Sequence, residues 1–139
     1  MKKIALVVLI GVAVVLAACS GAPSAQDITV EAKLMKYEPA TIEVTAGKPV
    51  KLTFHNNDTV EHDFSVMEFP MVMSATAEPM AGHDMGGMTT DPQLHMAAAT
   101  NTSNVLEFTP SKPGTYEFFC TVPGHKEAGM KGTLIVKAP

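Results

Sequence analysis

Residues 28–34, ITVEAKL, set Ile28, Val30, Ala32 and Leu34 on one parity and Thr29, Glu31 and Lys33 on the other. Side chains of an extended chain alternate across its two faces, so this two-residue period predicts a strand with an apolar face toward a core and a polar face toward water. The period returns in residues 41–44, with Ile42 and Val44 inward, and in residues 50–56, with Val50, Leu52 and Phe54 inward. Turn signals separate the runs: Glu38, Pro39 and Ala40 first, then Ala46, Gly47, Lys48 and Pro49. Further short strands fit residues 60–66, 94–98, 104–109, 114–120 and 132–137, with PSKPG at 110–114 as a turn. No segment carries a helical period. Many short alternating strands punctuated by turns predict an all-β sandwich or barrel, here over residues 28–139.

The amino-terminal end follows a different rule. Lys2 and Lys3 precede an uncharged apolar run over residues 4–18, and Cys19, Ser20 and Gly21 follow. A spanning helix needs about 20 apolar residues, so a shorter run behind two lysines reads as an export signal. Leu16, Ala17, Ala18 and Cys19 resemble the bacterial lipobox, which implies cleavage before Cys19 and lipid attachment to it. Residues 19–27 then form a small, polar tether. Removing residues 1–18 leaves 121 residues (139 less 18), enough for one core, and moves the formal charge from −4 to −6. An acidic chain of this kind lacks the clustered positive charge that nucleic-acid binding rests on. With Cys19 acylated, Cys120 is the one thiol left in a compartment where thiols usually pair, so it needs protection or a task.

Residues 70–93 interrupt the strand rhythm. This insertion carries Met71, Met73, Met80, Met85 and Met88 with His83, among prolines, glycines and small residues that prevent an amphipathic face. Two readings stand. Met80, His83, Met85 and Met88 are candidates for a Cu(I) site of their own, apart from any site elsewhere in the chain, since thioethers select soft ions. The weightier alternative is an adaptable apolar loop lying over the sandwich. His95 and Met96, beyond it, receive no role.

Strand parity also sorts the histidines. His62 shares its face with Val60, Phe64 and Val66 and is expected to point inward, whereas His55 opposes Val50, Leu52 and Phe54 and is expected to face water. Tyr116, Phe118 and Cys120 share a face, so the thiol leaves its strand end pointing inward. Pro123 and Gly124 reverse the chain before His125, and Gly129 precedes Met130. His62, Cys120, His125 and Met130 together supply two imidazoles, a thiolate and a thioether. That is the donor set of a mononuclear blue-copper site, in which His, His and Cys form a plane and a methionine lies weakly on the axis. Zinc competes for Cys and His, but a thioether is a poor fourth donor for it.

At this point the chain resembles the cupredoxin family, in particular its plastocyanin- and azurin-like members. NNDTVEHDF at 56–64 is similar to the segment carrying the family's first histidine, and YEFFCTVPGHKEAGMKGTLIV at 116–136 to its ligand loop and last strand. The resemblance implies a Greek-key β-sandwich and one-electron shuttling by an exported or membrane-associated chain. It implies His62, Cys120 and His125 as equatorial copper ligands and Met130 as the axial one. The spacing from Cys120 to His125 is azurin-like, and that from His125 to Met130 plastocyanin-like. Asp63 departs from the pattern: many relatives have Asn there, bracing the cysteine loop, which makes the hydrogen bonding behind the thiol an open point.

The reading extends to partners. A buried His62 and a loop-borne His125 make the His125 edge the expected electron port for transient docking by cytochromes or membrane oxidase and reductase complexes. A monomer with a lipid anchor is expected. The alternative is an exported copper chaperone or buffer that delivers Cu(I). An enzyme is not expected: His55, His83 and His95 form no second cluster, and a binuclear copper centre needs two bridging cysteines.

Overall fold

The computed structural model describes residues 24–74 and 91–139. Ten strands form two five-stranded sheets. The first sheet holds β1 (Gln26–Lys33), β2 (Lys36–Glu38), β4 (Val50–Asn56), β6 (Met71–Met73) and β8 (Ser103–Pro110), in the order β2-β1-β4-β8-β6. The second holds β3 (Thr41–Thr45), β5 (His62–Val66), β7 (Leu94–Ala98), β9 (Gly114–Phe119) and β10 (Lys131–Lys137), in the order β3-β10-β9-β5-β7. Only β1–β2 and β9–β10 follow one another within a sheet; the other successive strands lie in opposite sheets. This interleaving gives the all-β sandwich of Greek-key type, and no helix occurs among the described residues. β1 with β4 and β3 with β10 pair in parallel, and the remaining pairs are antiparallel.

The core lies between the sheets, as the alternating runs require. Val30, Ala32, Ile42, Val44, Val50, Leu52, Phe54, Leu134 and Val136 are buried, each separated from the next along its strand by a more exposed residue. Two aromatic groups divide this core. Phe64 stacks on Phe118 with centroids 4.5 Å apart, and Tyr37 meets Phe118 edge-on at 5.1 Å. Phe69 packs edge-on against Phe108 and Tyr116, at 5.6 and 5.0 Å. A fully buried ring of this kind contributes about 1.5–3 kcal/mol relative to an exposed one. The first group holds the strands that carry His62 and Cys120.

Four local features differ from the sequence reading. Leu34, expected inward, is 76% exposed, because the strand ends at Lys33 and Leu34 and Met35 turn with positive φ. β2 was not expected; three residues around one inward tyrosine show no period to read. β6 lies inside the proposed insertion and pairs with β8, so Met71–Met73 belongs to the first sheet. Val60 precedes β5 and is 45% exposed, and all five residues of β5 are buried, so its polar parity also faces packed structure. β5 lies between β7 and β9, and the hydrogen bonds of its polar residues explain how Asp63 and Ser65 are tolerated inside.

Candidate metal centre

His62 opens β5, Cys120 follows the end of β9, and His125 stands in the loop that returns to β10. Their donor atoms converge. His62 Nδ1 lies 3.1 Å from His125 Nδ1 and 3.8 Å from Cys120 Sγ, and Cys120 Sγ lies 3.3 Å from His125 Nδ1. Among the described residues this trio forms the one group of three or more His, Cys, Asp or Glu side chains close enough to hold a metal ion. His62 is 0% exposed and Cys120 is buried, whereas His125 is partly exposed.

The loop is folded so that its donors face inward. His125 N–H donates to Val122 O at 3.0 Å, Met130 N–H to His125 O at 2.9 Å, and Cys120 N–H to Met130 O at 3.2 Å. Gly124 and Gly129 adopt φ of 85° and 100°, a region that side chains with a Cβ rarely enter. On the outer side Lys126 pairs with Glu117 at 2.6 Å and lies over the Phe119 ring. Met130 is fully buried and is tied through its backbone to both Cys120 and His125.

Buried carboxylate chemistry surrounds the donors. Asp63 is fully buried and braces the cysteine loop: it accepts from Thr121 N–H at 3.0 Å, from Thr121 Oγ1 at 2.7 Å and from Ser65 Oγ at 2.8 Å. Its own N–H points at Cys120 Sγ at 3.5 Å, and its carbonyl accepts a short hydrogen bond from Tyr37. Where the resemblance implied an Asn brace, this chain uses a carboxylate. Ser65 also touches His95 Nδ1 at 2.8 Å, which gives His95 a place behind the strand. On the other flank Asp58 lies 3.2 Å from His62 Nε2. Backbone N–H groups of Thr59 and Met35, and then His62, hold the Asp58 carboxyl below its ordinary range.

These surroundings fit a metal. Burial, and next the adjoining His62, push the pKa of His125 down, so the imidazole is held in the neutral form that ligates. Burial, and next the charge of Asp63, push the Cys120 thiol up to about 12. Without an ion the thiol therefore keeps its proton; a metal must displace it, as coordinated thiols require. Two imidazoles and one thiol within 3.8 Å of one another form a pocket for one ion of borderline to soft character.

Comparison with known proteins agrees with that chemistry. Residues 24–137 match the family of copper binding proteins, plastocyanin/azurin family. The chain belongs to this family. As a cupredoxin, it takes one mononuclear copper as its cofactor, and the His62–Cys120–His125 cluster fits that ion. It is 36% identical over 104 residues to the copper-resistant cuproprotein CopI of Rubrivivax gelatinosus, over 74% of this chain and 61% of that relative. It is 29% identical over 158 residues to auracyanin-A of Chloroflexus aurantiacus, over 98% of this chain and 97% of the relative. Among solved structures, auracyanin B superposes with a TM-score of 0.58 at 27% identity, covering 81% of this chain and 89% of that one. Reduced auracyanin from Roseiflexus castenholzii shares the fold, with a TM-score of 0.59 at 22% identity over 81% and 98% of the two chains.

The cupredoxin site contains more than the sequence reading named. His62, Cys120 and His125 come together as expected, and His55 is partly exposed beside Ser103, outside the cluster. Met80, His83, Met85 and Met88, like Cys19, lie outside the described residues. Asp58, Asn56, Ser65, Thr121 and Tyr37 were missed. Asp58 had a faint signal, since Asn-Asn-Asp at 56–58 marks a turn just before a candidate ligand.

Proposed function

We propose that this cupredoxin carries single electrons on a copper ion that His62, Cys120, His125 and Met130 would hold. The observation that carries the reading is the convergence of three donor atoms from two strands and a loop, one imidazole sealed in the core and the other at the surface. Copper supplies a one-electron couple. The protein's part is to hold donors that suit both valences in a braced pocket, so that little rearrangement accompanies transfer. Buried His62, Cys120 and Met130 keep water away, and the His125 edge is the port. Met130 belongs in this set because its loop returns it, buried, between the Cys120 and His125 backbones.

Cys19 anchors the mature chain by lipid on the extracytoplasmic side of a membrane, and transient partners are cytochromes or membrane oxidase and reductase complexes. The export signal and lipobox resemblance support this placement, and the likeness to auracyanin-A supports the carrier role. The protein acts as a carrier rather than an enzyme.

The likeness to CopI favours a second reading, copper handling with the Met- and His-rich residues 70–93 as acceptor. Optical and electron-paramagnetic spectra with voltammetry separate the two. A carrier gives an intense visible thiolate band, abolished in Cys120→Ala, and a reversible one-electron wave. Colourless protein that yields its ion rapidly to a Cu(I) chelator overturns the carrier reading. Mass spectrometry of the membrane fraction tests the anchor, and absence of acyl mass at Cys19 rules it out.

A further inference from the structure

His62 meets a carboxylate through the nitrogen that faces away from the other donors. Its Nε2 lies 3.2 Å from Asp58 Oδ2, while its Nδ1 faces Cys120 and His125. An ionised carboxylate only accepts hydrogen bonds, so the proton of the neutral ring sits on Nε2 and the Nδ1 lone pair is left for the ion. We propose that Asp58 is a positioning residue of the copper centre, fixing the His62 tautomer and ring and, through its negative charge, favouring the cupric over the cuprous state. This inference rests on the copper reading above.

Asp58 is held as a built part of the site. Thr59 N–H donates to its Oδ1 at 2.8 Å, and Met35 N–H to its Oδ2 at 3.2 Å. Its own N–H donates to Asn56 Oδ1 at 3.0 Å. Asn56 is itself fully buried and donates to Val60 O at 2.8 Å and Ala98 O at 2.9 Å, tying the loop before His62 to β7. The Asp58 side chain is only 15% exposed, so its charge acts on the ring with limited screening by water.

The β1–β2 turn carries one of these contacts. Leu34 and Met35 take φ of 52° and 60°, a left-handed conformation sparsely used by residues with a Cβ. Leu34 gains no burial from it, being 76% exposed. The positive φ pair closes the two-residue hairpin between Lys33 and Lys36, and that turn also places Met35 N–H on Asp58 Oδ2. Asp63 is a second carboxylate in the centre and faces the thiol and Thr121, whereas Asp58 faces the far nitrogen of His62.

The test compares copper-loaded full-length native protein with Asp58→Asn, Asp58→Ala and a surface control, Glu127→Gln, in the exposed part of the ligand loop. Loss of an outer partner of this kind weakens a metal site about tenfold or more. Asp58→Asn is therefore expected to weaken Cu(II) relative to Cu(I) about tenfold, raising the midpoint by about 59 mV for one electron, and Glu127→Gln to shift it far less. The Cu(I) form is diamagnetic, and long-range proton–nitrogen spectra of the native protein should show a His62 Nε2–H protected from exchange, with protection lost in Asp58→Ala. A midpoint in Asp58→Asn that moves no further than in the control overturns the proposal. So does a native His62 Nε2 proton that exchanges freely, a result that needs no variant to fold. A native protein without thiolate band or redox wave instead indicts the copper reading itself.

Discussion

The strand side and the loop side of the centre are built in opposite ways. On the strand side His62 is fully buried, Asp58 occupies its far nitrogen, and Phe64 and Phe118 stack beneath β5 and β9. On the loop side His125 is partly exposed and is positioned mainly by backbone hydrogen bonds through Val122 and Met130 and by two left-handed glycines. One imidazole belongs to the core and the other to the surface. The difference teaches how a metal site combines rigidity with access: the buried half fixes the geometry, and the exposed half leaves an edge open to solvent, the edge that the proposed carrier role would use.

The sharpest way to break this contrast is to cut each imidazole out. His62→Gly is expected to lower copper affinity beyond the about 100-fold typical of losing an outer partner, with no rescue by free imidazole, because the gap is sealed. His125→Gly is expected to regain its visible band when imidazole is added, since that gap opens to solvent. Titrations of both variants followed by absorbance check this, and equal rescue of the two removes the distinction.

The next effect concerns the buried thiol. Cys120 is raised from an ordinary 9.0 to about 12 in the folded apo-protein, by burial first and by Asp63 next. Between those values the native chain binds more protons than the unfolded one, so stability is fully present below pH 9.0 and declines as pH rises toward 12. At about 1.4 kcal/mol per unit the loss is on the order of 4 kcal/mol. Denaturant titrations of apo-protein against apo Cys120→Ser, which has no thiol to ionise, should isolate it as a difference in slope.

A smaller effect tests whether the strand side is as tightly packed as it reads. A Cβ on Gly132 would stand 2.2 Å from Phe118 Cζ and 2.6 Å from Ala40 O. Gly132→Ala is expected to cost about 3 kcal/mol through overpacking, measured by chemical denaturation, because neither the stacked ring nor the backbone carbonyl can yield cheaply. The smallest effect lies far from both halves. Lys137 and Glu43 pair at 2.5 Å with side chains 57% and 52% exposed. Lys137→Ala is expected to change stability by no more than about 0.5 kcal/mol and to leave the midpoint potential unmoved.

Much of this molecule is legible along the chain. Ile42, Val44, Val50, Leu52 and Phe54 alternate because a strand has only two faces, and that local rule holds wherever one face meets solvent. It loses force in β5, where the polar residues are buried too, and at Leu34, where a turn reverses the strand one residue early. His62, Cys120 and His125 were readable because donor type and loop spacing are local properties. Asp58, Ser65, Thr121 and Tyr37 were not, because they act through partners brought near only by folding: Tyr37 reaches a carbonyl 26 positions away and Thr121 a carboxylate 58 positions away.

Period, turn chemistry and the Cys120–His125–Met130 spacing are short-range features, so the sequence alone determined a sandwich with soft and borderline donors at one loop. Which hydrogen bonds hold those donors depends on strands distant in sequence lying side by side. Only the tertiary structure could decide that a carboxylate backs His62, that another braces the cysteine loop, and that one imidazole is sealed while the other reaches the surface.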